Sequence, residues 1–437
     1  MKLSLASLLV YIQRLFYFLI TSLAGRVLLV SLLLYSIAFE YCRLQYWRDP
    51  HSAFFDETNV YDLKYSLFRE HEALQYISAY NARVEPPKSA VGSSDPILCL
   101  AFVTVKRDQV NYFDASIGSL LSGLDERERR AFQVRVLFAN TKPELHPSWG
   151  QLWMDRLMDS ASSYNVSKED FERLQALEES RNYYEKGVYD YTHVLDECYN
   201  TNAPYIGVFE DDIIFADGWL AKTLKGIYSI DKQQRVPNWI YMRLFYTETA
   251  LSWTNDDFAY RHIGFVFLLT MSTAFGVLML ARRVWTAARR HLDILTIAVV
   301  CAITIPAFTG LVFMIGKYNI SPMRGVVEMN KHGCCTQAMV FPRTQVPGLV
   351  KYLRDRKGGQ TDSMIEDYAD EHKLRRFALA PPQVQHVGIR SSRDNLEINT
   401  RSTWAFWFEE NDPKALRREH KRFLEMNDIP WIEGASP

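Results

Sequence analysis

No excess of charge of either sign marks this chain. Its 50 Lys and Arg stand against 51 Asp and Glu, a formal net charge of −1, so it lacks the basic footprint of a nucleic-acid-binding protein, and nucleic acid is not an expected partner. Cysteine is scarce: six in 437 residues do not amount to a disulfide framework. No convincing small-residue cleavage site accompanies the first apolar run, which is also too long for the core of a signal peptide and therefore reads as an anchor. Two later apolar runs lack charge altogether, which argues against buried helices of a water-soluble core.

Apolar and aromatic surface is plentiful instead. Aromatics make up 14% of the chain, a proportion that suits membrane association or carbohydrate handling. The three long runs cover residues 15–39, 263–281 and 294–316, each close to the roughly 20 residues that cross about 30 Å of hydrocarbon. Arg26 interrupts the first, and Pro306 in the third is tolerable in a membrane helix. Lys2 and Arg14 precede the first span, while Arg282, Arg283, Arg289 and Arg290 fill the loop between the other two. The positive-inside rule puts both ends on the cytosolic side. The expected order is a cytosolic tail (1–14), an anchor (15–39), a lumenal stem with helical character (40–95), the first part of a soluble domain (96–262), a span (263–281), a cytosolic loop (282–293), a span (294–316) and the second part of the domain (317–437). The lipid bilayer is thus an expected partner. Asn165-Val-Ser167 forms an N-glycosylation acceptor on the lumenal side.

The soluble parts have an α/β pattern. "PILCLAFVTVKRD", "FQVRVLFAN" and "APYIGVFEDD" carry short apolar runs that suit central strands of a parallel sheet. Helical material fills residues 114–124 and 170–199 between them, so a doubly wound sheet is expected, with ligands beyond the carboxyl ends of the strands. Glu210, Asp211 and Asp212 sit at such an end. Adjacent carboxylates repel, and hard divalent cations prefer their oxygens, usually with substrate phosphates completing the shell. A cation there would neutralise the charge on a departing nucleoside diphosphate. Acidic triplets also occur on exposed turns with no ligand at all.

Several stretches carry a family resemblance: "FVTVKRD", "YYEKGVYDYTHVLDEC", "VFEDD", "YMRLFYTE", "GCCTQAMVFP" and "RKGGQTDSMIEDYADEHKLRRFALAPPQVQHVGIRSS". Together they resemble the post-GPI-attachment to proteins factor 4 family, Golgi membrane enzymes that add N-acetylgalactosamine to the glycan of GPI anchors. The resemblance implies an N-terminal anchor and an α/β GT-A domain split by a transmembrane hairpin, with the catalytic domain lumenal. It also implies a UDP-sugar donor, a GPI glycan or GPI-anchored protein as acceptor, and inverting transfer. The segment "PPQVQHVGIRSS" is similar to part of the N-acetylglucosaminyltransferase IV-type enzymes that act on N-glycans, a close rival.

The resemblance also distributes roles. Asp212 is the expected metal ligand, with Asp211 and His386 completing the shell, and imidazole tilts the choice towards Mn²⁺. Glu210 and Asp211 are expected at the donor's ribose and sugar, or at the metal through water. Thr104 and Arg107 are candidates for the base, ribose or diphosphate. Lys186 and Asp190, four apart on one helical face, are either donor-site residues or an ordinary helix pair. Asp362 is the expected base and Glu366 the runner-up, although acids near a helix N-terminus also stabilise the helix dipole without any chemistry. With Cys42 at a membrane edge, Cys301 in a span and Cys99 in a strand core, a disulfide is expected between Cys198 and one of Cys334 and Cys335. A non-catalytic, glycan-binding relative is the alternative of another class. A transporter is disfavoured because the uncharged span cores offer no ionisable pathway.

Overall fold

The structure, a computed structural model, describes residues 13–14, 16–82, 95–107, 110–233, 238–329, 335–388 and 403–425. The chain divides into two units: residues 1–60 with 251–322, and residues 61–250 with 323–437.

The first unit carries three helices long and apolar enough to cross a membrane: Leu23–Gln45, Ile263–Val284 and Ile294–Met314. The first begins later than the expected 15–39, because the Ser22 hydroxyl accepts the Gly25 N–H and caps a new helix there. The third has a π-helical turn at Val300–Thr304, just before Pro306. Proline has no N–H to give and its ring crowds the carbonyl one turn back, so a wider turn relieves the clash without ending the helix. Thr304 donates to the Ser31 hydroxyl at 2.9 Å, tying the third helix to the first. None of the most apolar window of the second helix is buried within the protein. Its exposed Phe265, Leu268, Phe275 and Leu280 suit a lipid environment.

The second unit is built on an eight-stranded sheet. Its strands are β1 (Leu98–Thr104), β2 (Phe132–Phe138), β3 (Ser160–Ser162), β4 (Tyr205–Glu210), β6 (Trp239–Arg243), β7 (Gly325–Glu328), β8 (Ala338–Pro342) and β9 (Arg375–Ala380). Their order is β3-β2-β1-β4-β8-β6-β9-β7. A separate ribbon pairs β5 (Ile213–Phe215) with β10 (Val384–His386). The sheet is mixed, which corrects the expectation of a parallel one. β3, β2, β1 and β4 run parallel, but β8 lies antiparallel between β4 and β6, and β7 is antiparallel to β9. A buried strand is apolar whichever way it runs, so composition does not report its direction.

Side chains alternate across β1 and build two cores. Leu98, Leu100 and Phe102 join Trp219 of α5 (Trp219–Tyr228) and Ile117 of α2 (Phe113–Leu121). Cys99 and Ala101 join α4 (Tyr183–Tyr199), α6 (Val346–Arg356) and α7 (Thr361–Glu371) through Val188, Leu349 and Ile365. Each fully buried aliphatic or aromatic side chain contributes about 1.5–3 kcal/mol. That alternation also corrects the expected disulfide. Cys99 faces α4 and is bonded to Cys198, with Cα atoms 5.5 Å apart. Cys335 is in a disulfide of its own, and Cys334 lies outside the described residues.

The expected stem is not a separate element over α1 (Tyr65–Ala82), whose Tyr65, Ile77 and Tyr80 are buried in the first core. α1 approaches α2 closely at Gly118, where a Cβ would stand 2.4 Å from the Ala73 carbonyl oxygen, so only glycine fits. The remaining labelled helices are α3 (Lys168–Glu179) and α8 (Pro413–Glu425).

Candidate functional site

The carboxyl ends of β1 and β4 lie side by side, Val103 opposite Glu210 in a parallel register. Beyond β4 the chain bends at Asp211 and Asp212 and enters β5. Because β5 pairs with β10, Ile213 stands opposite His386, and the Asp212 carbonyl accepts the Val387 N–H at 2.8 Å. That short ribbon is what brings a histidine from far along the chain to the acid turn. His386 Nε2 lies 3.4 Å from Asp212 Oδ2. Gly388 closes the corner: a Cβ there would sit 2.0 Å from Asp212 Oδ2 and 2.9 Å from His386 Nε2.

Glu210, Asp212 and His386 each direct one ligand atom into a common space, all within 4.8 Å of one another. Glu210 is oriented from β8's side, its Oε1 accepting the Thr336 hydroxyl at 2.7 Å and its N–H donating to the Gln337 carbonyl at 3.0 Å. Asp212 Oδ1 is buried with no hydrogen-bond partner among the described atoms, a costly state that a cation would relieve. Two carboxylates and an imidazole are a donor set suited to Mn²⁺ or another divalent cation. The residues fit the metal that the acid turn implies, with Glu210 in the place expected for Asp211. Near-extended chain sends residues 210 and 212 to one side and 211 to the other, a signal that period-two reasoning carries.

Asp211 turns the other way. Its Oδ2 accepts the Thr104 hydroxyl at 2.7 Å, and its Oδ1 accepts from Arg107 Nη2. The same Arg107 nitrogen reaches Asp212 Oδ2 at 2.9 Å, so one guanidinium bridges both acids. Burial pushes the Asp212 carboxyl up, but His386 and Arg107 outweigh it and hold it well below the carboxylate range. Burial raises Asp211 overall, with Arg107 offsetting only part of the effect. Burial alone would lower the His386 imidazole, yet the Asp212 carboxylate beside it raises it. Thr104 is fully buried with its hydroxyl committed inside the protein, so it does not present that group to a ligand as the sequence suggested.

Lys186 and Asp190 form a closed cluster. Lys186 Nζ donates to the Ala139 carbonyl and the Tyr164 hydroxyl at 2.6 Å each and to Asp190 Oδ2 at 2.9 Å; Tyr164 donates to the other Asp190 oxygen. The cluster pins α4 to the end of β2. Beside it, Lys106, Asn140, Thr141, Leu145, Gln175 and Glu178 line a cavity of about 280 Å³ beyond the ends of β1 and β2.

Asp362 and Glu366 differ sharply. Asp362 lies in the first turn of α7, partly exposed, its Oδ1 accepting the Ser363 N–H at 2.8 Å and the Ser363 hydroxyl at 3.5 Å. Glu366 is held by the Tyr241 hydroxyl, Arg243 Nη2 at 2.8 Å and Arg376 Nε at 2.7 Å. Asn165 is exposed, and Ser167 of its acceptor triplet caps α3.

A mixed α/β sheet with an acid-and-imidazole cluster at its strand ends is an arrangement suited to a ligand that carries phosphate and chelates a cation. Residues 98–385 match the family described as GPI-N-acetylgalactosamine transferase PGAP4. The match spans more than half of the 437 residues, and the chain belongs to that glycosyltransferase family. No individual curated protein matches it.

Proposed function

We propose that this chain is a Golgi membrane glycosyltransferase that moves N-acetylgalactosamine from a UDP-sugar to the glycan of GPI anchors. In this reading the second unit is a GT-A-type catalytic domain, interrupted in sequence by a membrane hairpin, and it faces the lumen. The observation that carries the proposal is the convergence of Glu210, Asp212 and His386 at the end of β4 in a chain of this family.

A divalent cation held by these three side chains would supply positive charge against the diphosphate of the donor. Arg107, already shared by Asp211 and Asp212, adds a positive group beside the same place. The cavity lined by Lys106, Asn140 and Glu178, beyond the ends of β1 and β2, offers space for the nucleoside. Asp362 takes the proton of the acceptor hydroxyl as its oxygen bonds to the anomeric carbon from the face opposite the departing UDP, so configuration inverts. Glu366 is clamped by two arginines and a tyrosine and its Oε2 is buried, so it holds the base's helix in place instead of meeting the acceptor.

UDP release by the purified full chain in detergent tests the proposal. Turnover should require Mn²⁺, stop with EDTA, and vanish in Asp212→Ala without loss of membrane insertion. Turnover that persists in EDTA or in Asp212→Ala refutes the metal reading.

A further inference from the structure

His146 has no place in the account so far, yet it sits beneath the acid turn. The ring is buried, and it meets Phe113 and Phe138 edge-on with centroids 5.8 and 5.0 Å away. Packing explains why a ring occupies this position. Its two nitrogens need a separate explanation.

Hydrogen-bond direction supplies it. The Ser148 backbone N–H only donates, and it lies 3.1 Å from His146 Nδ1. Nδ1 is therefore the acceptor and the ring proton belongs on Nε2. Nε2 stands 3.0 Å from Thr104 Oγ1, so His146 donates to Thr104. The single proton of that hydroxyl is then directed to Asp211 Oδ2, 2.7 Å away. From Ser148 to Asp211 each hydrogen has one acceptor, so the direction of the series is set at the Ser148 end, and Arg107 then joins Asp211 to Asp212 through one nitrogen. Burial and the nearby Arg107 lower His146 to a pKa of about 4, so the ring stays neutral near neutral pH and keeps its acceptor nitrogen.

We infer that His146 is a positioning residue: it orients Thr104 and thereby Asp211, and through Arg107 it fixes where Asp212 presents its carboxylate to a cation. This inference rests on the metal reading above. A histidine kept only for packing would be replaceable by another ring. A positioning histidine is replaceable only by a side chain that can again donate to Thr104.

The test is Mn²⁺ binding alone, followed by electron paramagnetic resonance on the full chain in detergent, with melting temperatures measured alongside. His146→Phe keeps the packing ring and should weaken Mn²⁺ about tenfold or more, the usual scale for a lost outer partner. His146→Gln, whose amide can donate to Thr104, should stay within about threefold of the parent. Thr104→Val should reproduce the His146→Phe loss, and the double variant should be no worse than either, because both break one chain. Unchanged affinity in His146→Phe, equal losses in the Phe and Gln variants, or additive losses in the double variant would overturn the inference. If His146→Phe does not fold, Thr104→Ser against Thr104→Val decides: Ser should bind like the parent and Val weakly, and equal losses overturn it. A parent chain that binds no Mn²⁺ removes the metal reading and this inference with it. A parent that binds beside unaffected variants removes the inference alone.

Discussion

Substituting Glu366 and Asp362 separately should split stability from chemistry. Glu366 lies between Arg243, whose side chain is 0% exposed, and Arg376, at 6%. Replacing the carboxylate by an amide removes the charge paired with a fully buried guanidinium, a loss that costs about 3–5 kcal/mol when one partner of a buried pair is removed. At about 2 °C per kcal/mol for a unit of this size, Glu366→Gln should melt roughly 6–10 °C below the parent. Among the described residues Asp362 has no such partners. Asp362→Asn gives up only a favourable charge at a helix N-terminus, about 0.5 kcal/mol and so about 1 °C. Its turnover should nevertheless fall about 10²–10⁴-fold, the range for a lost general base. Scanning fluorimetry and UDP release with acceptor present measure the two quantities on the same preparations. The reasoning fails if Glu366→Gln melts with the parent while losing turnover, or if Asp362→Asn retains turnover.

Replacing residues 263–316 by a short soluble linker should preserve hydrolysis of the donor while transfer to membrane-bound GPI falls much further than transfer to a soluble glycan fragment, because a second membrane attachment narrows the geometry of encounter; parallel losses on the two acceptors would show the spans to be structural only. The Cys99–Cys198 bond closes a sequence separation of 99 residues, so replacing both cysteines by alanine should cost about 3–5 kcal/mol in denaturant unfolding, and a change below about 1 kcal/mol would show that the bond contributes little to stability. Burial would lower His420, but Glu128 Oε1, 2.9 Å from its Nε2, raises it overall. The stabilisation from this pair is therefore complete below the unfolded pKa of about 6.5 and is lost as pH rises through the higher folded value. His420→Gln should flatten that decline in melting temperature, and an unchanged pH profile would contradict it.

How much of this was legible depended on whether the signal was local. β1, β2 and β4 each announce themselves as apolar runs, and the three long helices follow from the length and hydropathy of their apolar runs. The direction of β8 is not encoded locally, since Ala338–Pro342 would be as apolar in either orientation. Cys99 could be placed in a strand, but its partner depends on which helix covers that face, and only the packing of α4 selects Cys198. The acid turn was visible as three adjacent carboxylates; the separation of Asp211 from Glu210 and Asp212 was implicit in their alternation. His386 stood out only through its motif, since the β5–β10 ribbon that carries it to Asp212 is three residues on each side. His146 left no signal: a single histidine in "PELHPSW" looks like any loop residue, and its meaning comes from a tertiary hydrogen-bond chain.

If the cluster at the end of β4 serves sugar transfer to GPI, loss of Asp212 abolishes that transfer in cells. The decisive measurement is mass spectrometry of GPI glycans released from cells that lack this activity, supplied with either the parent chain or Asp212→Ala. The parent should add one N-acetylhexosamine to the glycan and Asp212→Ala should add none at equal expression. Identical glycan spectra from the two, with or without the added sugar, would refute a role of this cluster in the transfer.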